Sequence, residues 1–201
     1  MHAGEPSSFL ILHGYENRRP ASHWQRWLSL ELTARGHDVR YPQLPDPDQP
    51  DLERWRDVAL ANLATLTEGT IAVIAHSASA LLWLHEQSSG SRVQVDRVAL
   101  VAPPEASIAR ELEAVSAFAW PPEQGQAVQD HAPRLHLGAD DAIVVVGTGD
   151  EFAPHGAAGI APFVDARTVE LEGAGHITPA SGFGPWPEML AWCEGLPAFG
   201  A

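Results

Sequence analysis

Short apolar runs alternate with longer amphipathic segments along the chain, and this alternation limits the possible fold class more than any other feature. Each run is too short for a helix and is bounded by turn-forming residues, which is typical of a buried strand. The predicted strands are FLIL (9–12), DVRYP (38–42), TIAVIA (70–75), VDRVALVAPP (95–104), AIVVVG (142–147) and ARTVEL (166–171). The predicted helices span 22–36, 51–66, 79–87 and 185–196. This pattern predicts an α/β fold with a mostly parallel central sheet and helices on both faces.

Length, charge and cysteine content limit the possible partners. The 201 residues carry no repeat or long linker, so we expect a single domain over 1–201. Twelve basic against 26 acidic residues give a net charge of −14, which disfavours binding to nucleic acid or to an anionic membrane. Cys193 has no second cysteine to pair with. The first residues lack a basic segment before an apolar one, so we expect a soluble cytoplasmic protein.

The segment IAVIAHSASALLWLH (71–85) places Ser77 between a predicted strand and a predicted helix. A serine at such a corner is the nucleophile of the G-x-S-x-G elbow, where the flanking glycines let strand and helix approach closely. Here the corresponding positions hold Ala75 and Ser79, whose side chains are small enough to allow the same close approach of strand and helix. Ser79 is the rival nucleophile, but the residue two positions after it is Leu81, whose side chain would crowd the close approach of strand and helix. Ser77 is therefore the better candidate.

An activated serine needs a base, and the base needs an acid to orient it. On this kind of elbow the acid and then the base follow the serine along the chain. Asp150 comes directly after a buried strand, with Glu151 as the fallback acid. His176 follows the next strand after a Gly-Ala-Gly turn, and His155 is its competitor. The order of these residues indicates a Ser77, Asp150 and His176 triad.

An oxyanion hole requires two backbone N–H donors. The first is expected from Ala78, directly after the nucleophile. The second is expected from the HGYENRRP loop after the first strand, where either Tyr15 or Glu16 could present its N–H.

The irregular region 105–140 is expected to hold one or two short helices and a flexible segment, and to border the pocket. The candidate substrate-binding residues are Phe118, Trp120 and Phe152. The ten histidines show no metal-ligand spacing, and no glycine-rich loop for a nucleotide is present. We therefore expect neither a metal nor a cofactor.

Four segments resemble the small serine hydrolases of the retinoblastoma-binding protein nine type, within the α/β-hydrolase superfamily. They are ILHGYENRRPASHWQRWL, IAHSASALLWLH, GTGDEFAP and GAGHITPASGFGPWPE. The resemblance implies an α/β-hydrolase fold with a minimal cap or none. It also implies that Ser77 is the nucleophile, Asp150 the acid and His176 the base, with esterase-like activity on small acyl substrates. The family has glycines where this chain has Ala75 and Ser79.

Three functional hypotheses remain open from the sequence. The first is a serine hydrolase that cleaves a small ester, thioester or activated amide through an acyl-enzyme. The altered elbow motivates the second, a non-catalytic protein-interaction module on the same fold. The third is an acyltransferase that uses the same triad. The sequence discloses neither the natural substrate and its acyl-chain length, nor a protein partner, nor the oligomeric state.

Overall fold

The central sheet consists of parallel strands. The computed structural model describes residues 7–121 and 134–200. Within these ranges the sheet strands are β1 (Ser8–Leu12), β2 (Asp38–Arg40), β3 (Ile71–His76), β4 (Arg97–Val101), β6 (Asp141–Gly147) and β8 (Arg167–Leu171). They form a six-stranded sheet in the order β2-β1-β3-β4-β6-β8, with parallel pairing throughout. Two further strands, β5 (Leu135–His136) and β7 (Val164–Asp165), form a separate two-stranded parallel sheet.

Helices connect the strands in chain order. They are α1 (Trp24–Ala34), α2 (Leu52–Leu63), α3 (Ala78–Ser88), α4 (Ala106–Glu111), α5 (Ala157–Ile160) and α6 (Pro187–Cys193). Two 3₁₀ turns occupy Glu113–Phe118 and Pro179–Ser181. No helix in the described ranges has the length and apolarity needed to span a bilayer.

Both faces of the sheet carry a hydrophobic core, because side chains alternate along each strand. In β1, Leu10 and Leu12 belong to the core that includes residues of α2 and α3. Phe9 and Ile11 point the other way, into the core that includes residues of α1 and α6. The predicted α/β fold with helices on both faces of a mostly parallel sheet is confirmed.

The ends of several elements differ from the prediction. Helix α1 begins at Trp24, inside the predicted span 22–36, because the side chain of His23 accepts the N–H of Gln25 at 3.3 Å. The strand expected over 95–104 ends at Val101, since Ala102 has a positive φ of 47°.

The connection between β4 and β6 holds the short elements expected for the irregular region. Helix α4 and the 3₁₀ turn Glu113–Phe118 confirm the one or two short helices predicted there. The flexible segment expected in the same region falls partly on 122–133, which lie outside the described residues. Because all strands of the sheet are parallel, the ends of β1, β3, β4, β6 and β8 lie at one edge.

Candidate active site

Ser77 occupies a strained turn between β3 and α3. Its φ and ψ are 56° and −123°, a conformation that is uncommon for a residue with a side chain. Its N–H donates to the carbonyl of Val101 on β4 at 2.9 Å, which fixes the turn against the neighbouring strand. Its side chain forms no capping hydrogen bond with α3. The hydroxyl is therefore not occupied by the helix that follows it.

A chain of hydrogen bonds links Ser77 to Asp150 through His176. The carboxylate of Asp150, whose side chain is fully buried, accepts the N–H of Phe152 at 2.9 Å on one oxygen. The other oxygen accepts Nδ1–H of His176 at 2.8 Å. With its proton on Nδ1, the neutral imidazole presents a lone pair at Nε2, which accepts the hydroxyl of Ser77 at 2.9 Å. The structure brings the three residues of the predicted triad into hydrogen-bond contact.

The rival residues are engaged elsewhere. The hydroxyl of Ser79 is fully buried and donates to the carbonyl of His13. Nδ1 of His155 lies 2.8 Å from a carboxylate oxygen of Glu105, with the His155 side chain largely exposed. Glu151 is exposed on the surface. None of the three is hydrogen-bonded to Ser77 or His176.

The loop after β1 is held in place by a buried histidine. Nε2 of His13 accepts the N–H of Leu44 at 2.8 Å, so its proton lies on Nδ1, which donates to the carbonyl of Gly14 at 2.9 Å. The N–H and C=O of one trans peptide point in opposite directions. The N–H of Tyr15 therefore points away from the His13 ring, and Tyr15 lines the cavity that also contains Ser77.

Only one of the two loop residues keeps its N–H available as an oxyanion donor. The N–H of Glu16 donates to the carbonyl of Pro47 at 2.8 Å, so the suggestion that Glu16 serves as a donor is wrong. Within the described residues no hydrogen bond is formed by the backbone N–H of Tyr15 or by that of Ala78, the first residue of α3. These two donors can serve a developing negative charge beside Ser77.

The three predicted substrate-binding aromatic residues lie in different surroundings. Phe118 is completely buried and packs edge-on against Trp55 in the core, so its assignment to the pocket is wrong. Trp120 lines another cavity, of about 480 Å³, together with Phe163, and its assignment to the substrate site stays a prediction. Phe152 packs against His176 with ring centroids 4.6 Å apart. A substrate-binding role for Phe152 stays a prediction.

Two glycines allow backbone segments to meet at the site. A Cβ on Gly14 would lie 2.7 Å from Cβ of Ser77. A Cβ on Gly147, at the end of β6, would lie 2.2 Å from the carbonyl oxygen of Gly175, just before His176. The loop after the neighbouring strand β1 therefore comes close to the Ser77 side chain, and Gly14 leaves room for it.

Sequence reasoning missed a group of buried histidines around His176. Burial lowers the pKa of His13 and of His23 to about 4, and it lowers that of His76 well below the ordinary value. The His76 ring lies 5.2 Å from the His176 ring and 5.4 Å from that of His23. Their sequence signal is position, since His13 directly follows β1, His76 is the last residue of β3 and His23 directly precedes α1. Among described residues, no three His, Cys, Asp or Glu side chains converge as metal ligands.

Replacing Gly147 by alanine tests the close approach at the end of β6. The added methyl group would overlap the Gly175 carbonyl, so we expect Gly147→Ala to lower the free energy of unfolding by about 1–3 kcal/mol. Gly184 is the matched control, because its Cβ would meet only the Ser22 carbonyl at 3.7 Å. Gly184→Ala should change stability by less than about 0.5 kcal/mol. Equal urea denaturation midpoints for the two variants would contradict the steric argument.

The buried histidines predict a loss of stability in acid. The unfolded chain protonates these rings below pH 6.5, whereas folded His13 and His23 remain neutral down to about pH 4. Because the unfolded state binds more protons in this window, stability is complete above pH 6.5 and falls as the pH drops toward 4. The expected loss is about 3 kcal/mol for each ring.

A single substitution separates this effect from the titration of carboxylates. His23→Asn keeps a side chain able to cap α1 but removes one titrating ring. Urea denaturation between pH 7.5 and 4.5 should therefore show a shallower loss of stability in the variant than in the unmodified protein. Identical slopes would rule out a depressed pKa at His23.

Comparisons with known proteins agree with this fold. YdeN of Bacillus subtilis (strain 168) is 29% identical over 180 residues, which cover 88% of this chain and 89% of the relative. Its crystal structure superposes with a TM-score of 0.71 at 23% identity, covering 94% of this chain and 97% of that one. A YdeN-like protein from Pectobacterium atrosepticum gives the same TM-score and identity, with 95% and 90% covered. The family model described as "Serine hydrolase" matches residues 9–194, so the chain belongs to the serine hydrolase family.

Proposed function

We propose that this hydrolase is a carboxylesterase-like enzyme that cleaves small esters, thioesters or activated amides through an acyl-enzyme on Ser77. The hydrogen-bond chain from Ser77 through His176 to Asp150, at 2.9 Å and 2.8 Å, is the observation that carries the proposal. A hydroxyl, an imidazole and a buried carboxylate in this order form a nucleophile, a base and an orienting acid. Within the serine hydrolase family, the resemblance to the retinoblastoma-binding protein nine type stays a prediction, and it agrees with this activity.

Acylation follows from the protonation states in this chain. Oγ of Ser77 attacks the substrate carbonyl carbon while its proton passes to Nε2 of His176. Asp150 keeps the His176 proton on Nδ1, so Nε2 is free to accept, and its negative charge stabilises the imidazolium that forms. The imidazolium then gives the Nε2 proton to the leaving alcohol, thiol or amine, and the acyl group remains on Ser77.

Deacylation repeats these steps with water as the nucleophile. His176 takes a proton from water, the hydroxide attacks the acyl carbon, and Ser77 leaves with the proton returned from Nε2. In both halves of the reaction the substrate oxygen becomes negatively charged. The N–H groups of Ala78 and Tyr15 stabilise that charge, and α3 adds the positive end of its dipole behind Ala78.

The dimensions and lining of the cavity support a small substrate. The cavity beside Ser77 has a volume of about 370 Å³, near the lower end of the range for small-molecule sites. Tyr15, Arg18 and Thr178 contribute polar groups to a lining whose exposed surface is otherwise mostly apolar. We therefore propose short acyl chains in preference to long ones. A cytoplasmic location and the absence of nucleic-acid and membrane partners stay predictions.

Hydrolysis of p-nitrophenyl acetate and butyrate tests the activity, with Ser77→Ala beside the unmodified protein. Removing the nucleophile should lower kcat by roughly 10³-fold or more, because the base and the oxyanion donors cannot replace the lost covalent step. Ser79→Ala is the matched control, since its buried hydroxyl is bound to the His13 carbonyl and not to His176. Ser79→Ala should keep labelling by a fluorophosphonate probe, whereas Ser77→Ala should lose it.

The outcomes separate the competing functions. Labelling that survives in Ser77→Ala and disappears in Ser79→Ala would overturn the assignment of the nucleophile. An unmodified protein that is neither active nor labelled would support the non-catalytic interaction module. Ester or amide products formed with an added alcohol or amine, in preference to free acid, would support acyl transfer.

A further inference from the structure

The loop that carries His176 is hydrogen-bonded at two consecutive carbonyls. Nε2–H of His76 donates to the carbonyl of His176 at 3.0 Å. Nε1–H of Trp24 donates to the carbonyl of Ile177 at 2.9 Å. Both donor rings are almost completely buried, and their centroids lie 5.8 Å apart. The two hydrogen bonds therefore connect this loop to β3 on one side and to α1 on the other.

The loop needs such restraint because its backbone is strained. Ile177 has a φ of 50°, a conformation that is an outlier for a β-branched residue. Its side chain is fully buried in the core that contains Trp24, so the loop cannot relax by turning this residue outward. Strained backbone persists only where the surrounding contacts fix it. The N–H donors of His76 and Trp24 are two such contacts.

The histidine at position 76 carries a buried ring nitrogen that an apolar ring would lack. Because His76 donates through Nε2, its lone pair lies on Nδ1, and that atom is buried without a hydrogen-bond partner among the described residues. An unpartnered buried nitrogen is unfavourable, and an apolar ring at this position would avoid the cost. Among the described residues, the His76 side chain makes one hydrogen bond, to the His176 carbonyl, and an apolar ring of similar size could not make it.

We propose that His76 and Trp24 are positioning residues that hold the backbone of the His176 loop, so that Nε2 of His176 stays within hydrogen-bond reach of Ser77. His76 directly precedes Ser77 in the chain. Its hydrogen bond therefore connects the backbone of the base, His176, to the backbone segment that carries the nucleophile. This inference rests on the proposed role of His176 as the base. A displacement of about 1 Å at such a group can lower the rate by about 100-fold.

Two tryptophan variants provide a matched test. Trp24→Phe removes the N–H to Ile177 and keeps an aromatic ring. Trp83→Phe makes the same chemical change in the other core, where Nε1–H donates to the carbonyl of Leu137 at 2.8 Å. We expect Trp24→Phe to lower kcat by roughly 10-fold to 100-fold with KM within about twofold. Trp83→Phe should leave kcat unchanged at a similar loss of thermal stability.

Two variants of His76 test the other hydrogen bond. Gln at this position can present an amide N–H near the place of Nε2, whereas Phe keeps the ring without a donor. His76→Phe should lower kcat as Trp24→Phe does, and His76→Gln should restore a large part of it. Equal kcat values for His76→Phe and His76→Gln, or equal effects of Trp24→Phe and Trp83→Phe on kcat, would overturn the proposal.

A spectroscopic readout keeps this test independent of turnover. The Nδ1 proton that His176 donates to Asp150 is expected to give a downfield ¹H resonance, whose position and exchange rate would report the geometry of the pair. In Trp24→Phe and His76→Phe this resonance should shift or broaden, whereas Trp83→Phe and His76→Gln should retain it. If the unmodified protein turns over no ester, the proposed function fails, but the four spectra still decide whether these residues position His176.

Discussion

The backbone of Ser77 changes from strand to helix within one residue, and the rest of the site is arranged around that change. A φ of 56° is unfavourable for any L residue with a side chain, so the turn depends on its neighbours. β4 contributes the Val101 carbonyl that accepts the Ser77 N–H. The β1 loop contributes Gly14, whose missing side chain leaves room for Cβ of Ser77. Two strands that flank β3 thus determine the conformation of the serine between them.

The buried histidines near His176 add no positive charge beside it. His13, His23 and His76 stay neutral because burial disfavours their charged forms and lowers their pKa values. A positive ring at any of these places would repel an imidazolium at His176 and oppose the reaction that we propose. Asp150 is the charged partner hydrogen-bonded to His176, and its buried position strengthens their interaction.

The sequence was sufficient to predict the fold because its signals are local. Each strand shows as an apolar run with turn residues on both sides, and alternating helices favour parallel pairing. The positions of Ser77, Asp150 and His176 could be selected by the same reasoning, since each follows a strand and parallel strands end at one edge. The structure brings these three side chains together. Their catalytic roles stay a proposal that the variants above test.

The features that escaped prediction depend on contacts between distant parts of the chain. The choice between Tyr15 and Glu16 is decided by the Pro47 carbonyl, about thirty residues away. Phe118 was assigned to the pocket because its region is irregular, yet it packs against Trp55 from α2. Sequence reasoning considered only the residues that flank Ser77, whereas the structure adds a close approach by Gly14 from the loop after the neighbouring strand β1. No local sequence pattern indicates which distant residues come into contact.

Ser79 stands where related elbows have a glycine, and its hydroxyl gives that position a property that glycine lacks. A glycine only leaves space between the nucleophile helix and the first loop. Ser79 fills the space, and its hydroxyl donates to the His13 carbonyl. This hydrogen bond connects the start of α3 to the loop after β1. A substrate that presses on this loop from the cavity cannot widen the gap without breaking a buried hydrogen bond. The oxyanion loop and the start of α3 should therefore move as one rigid unit, and the site should open elsewhere along its rim.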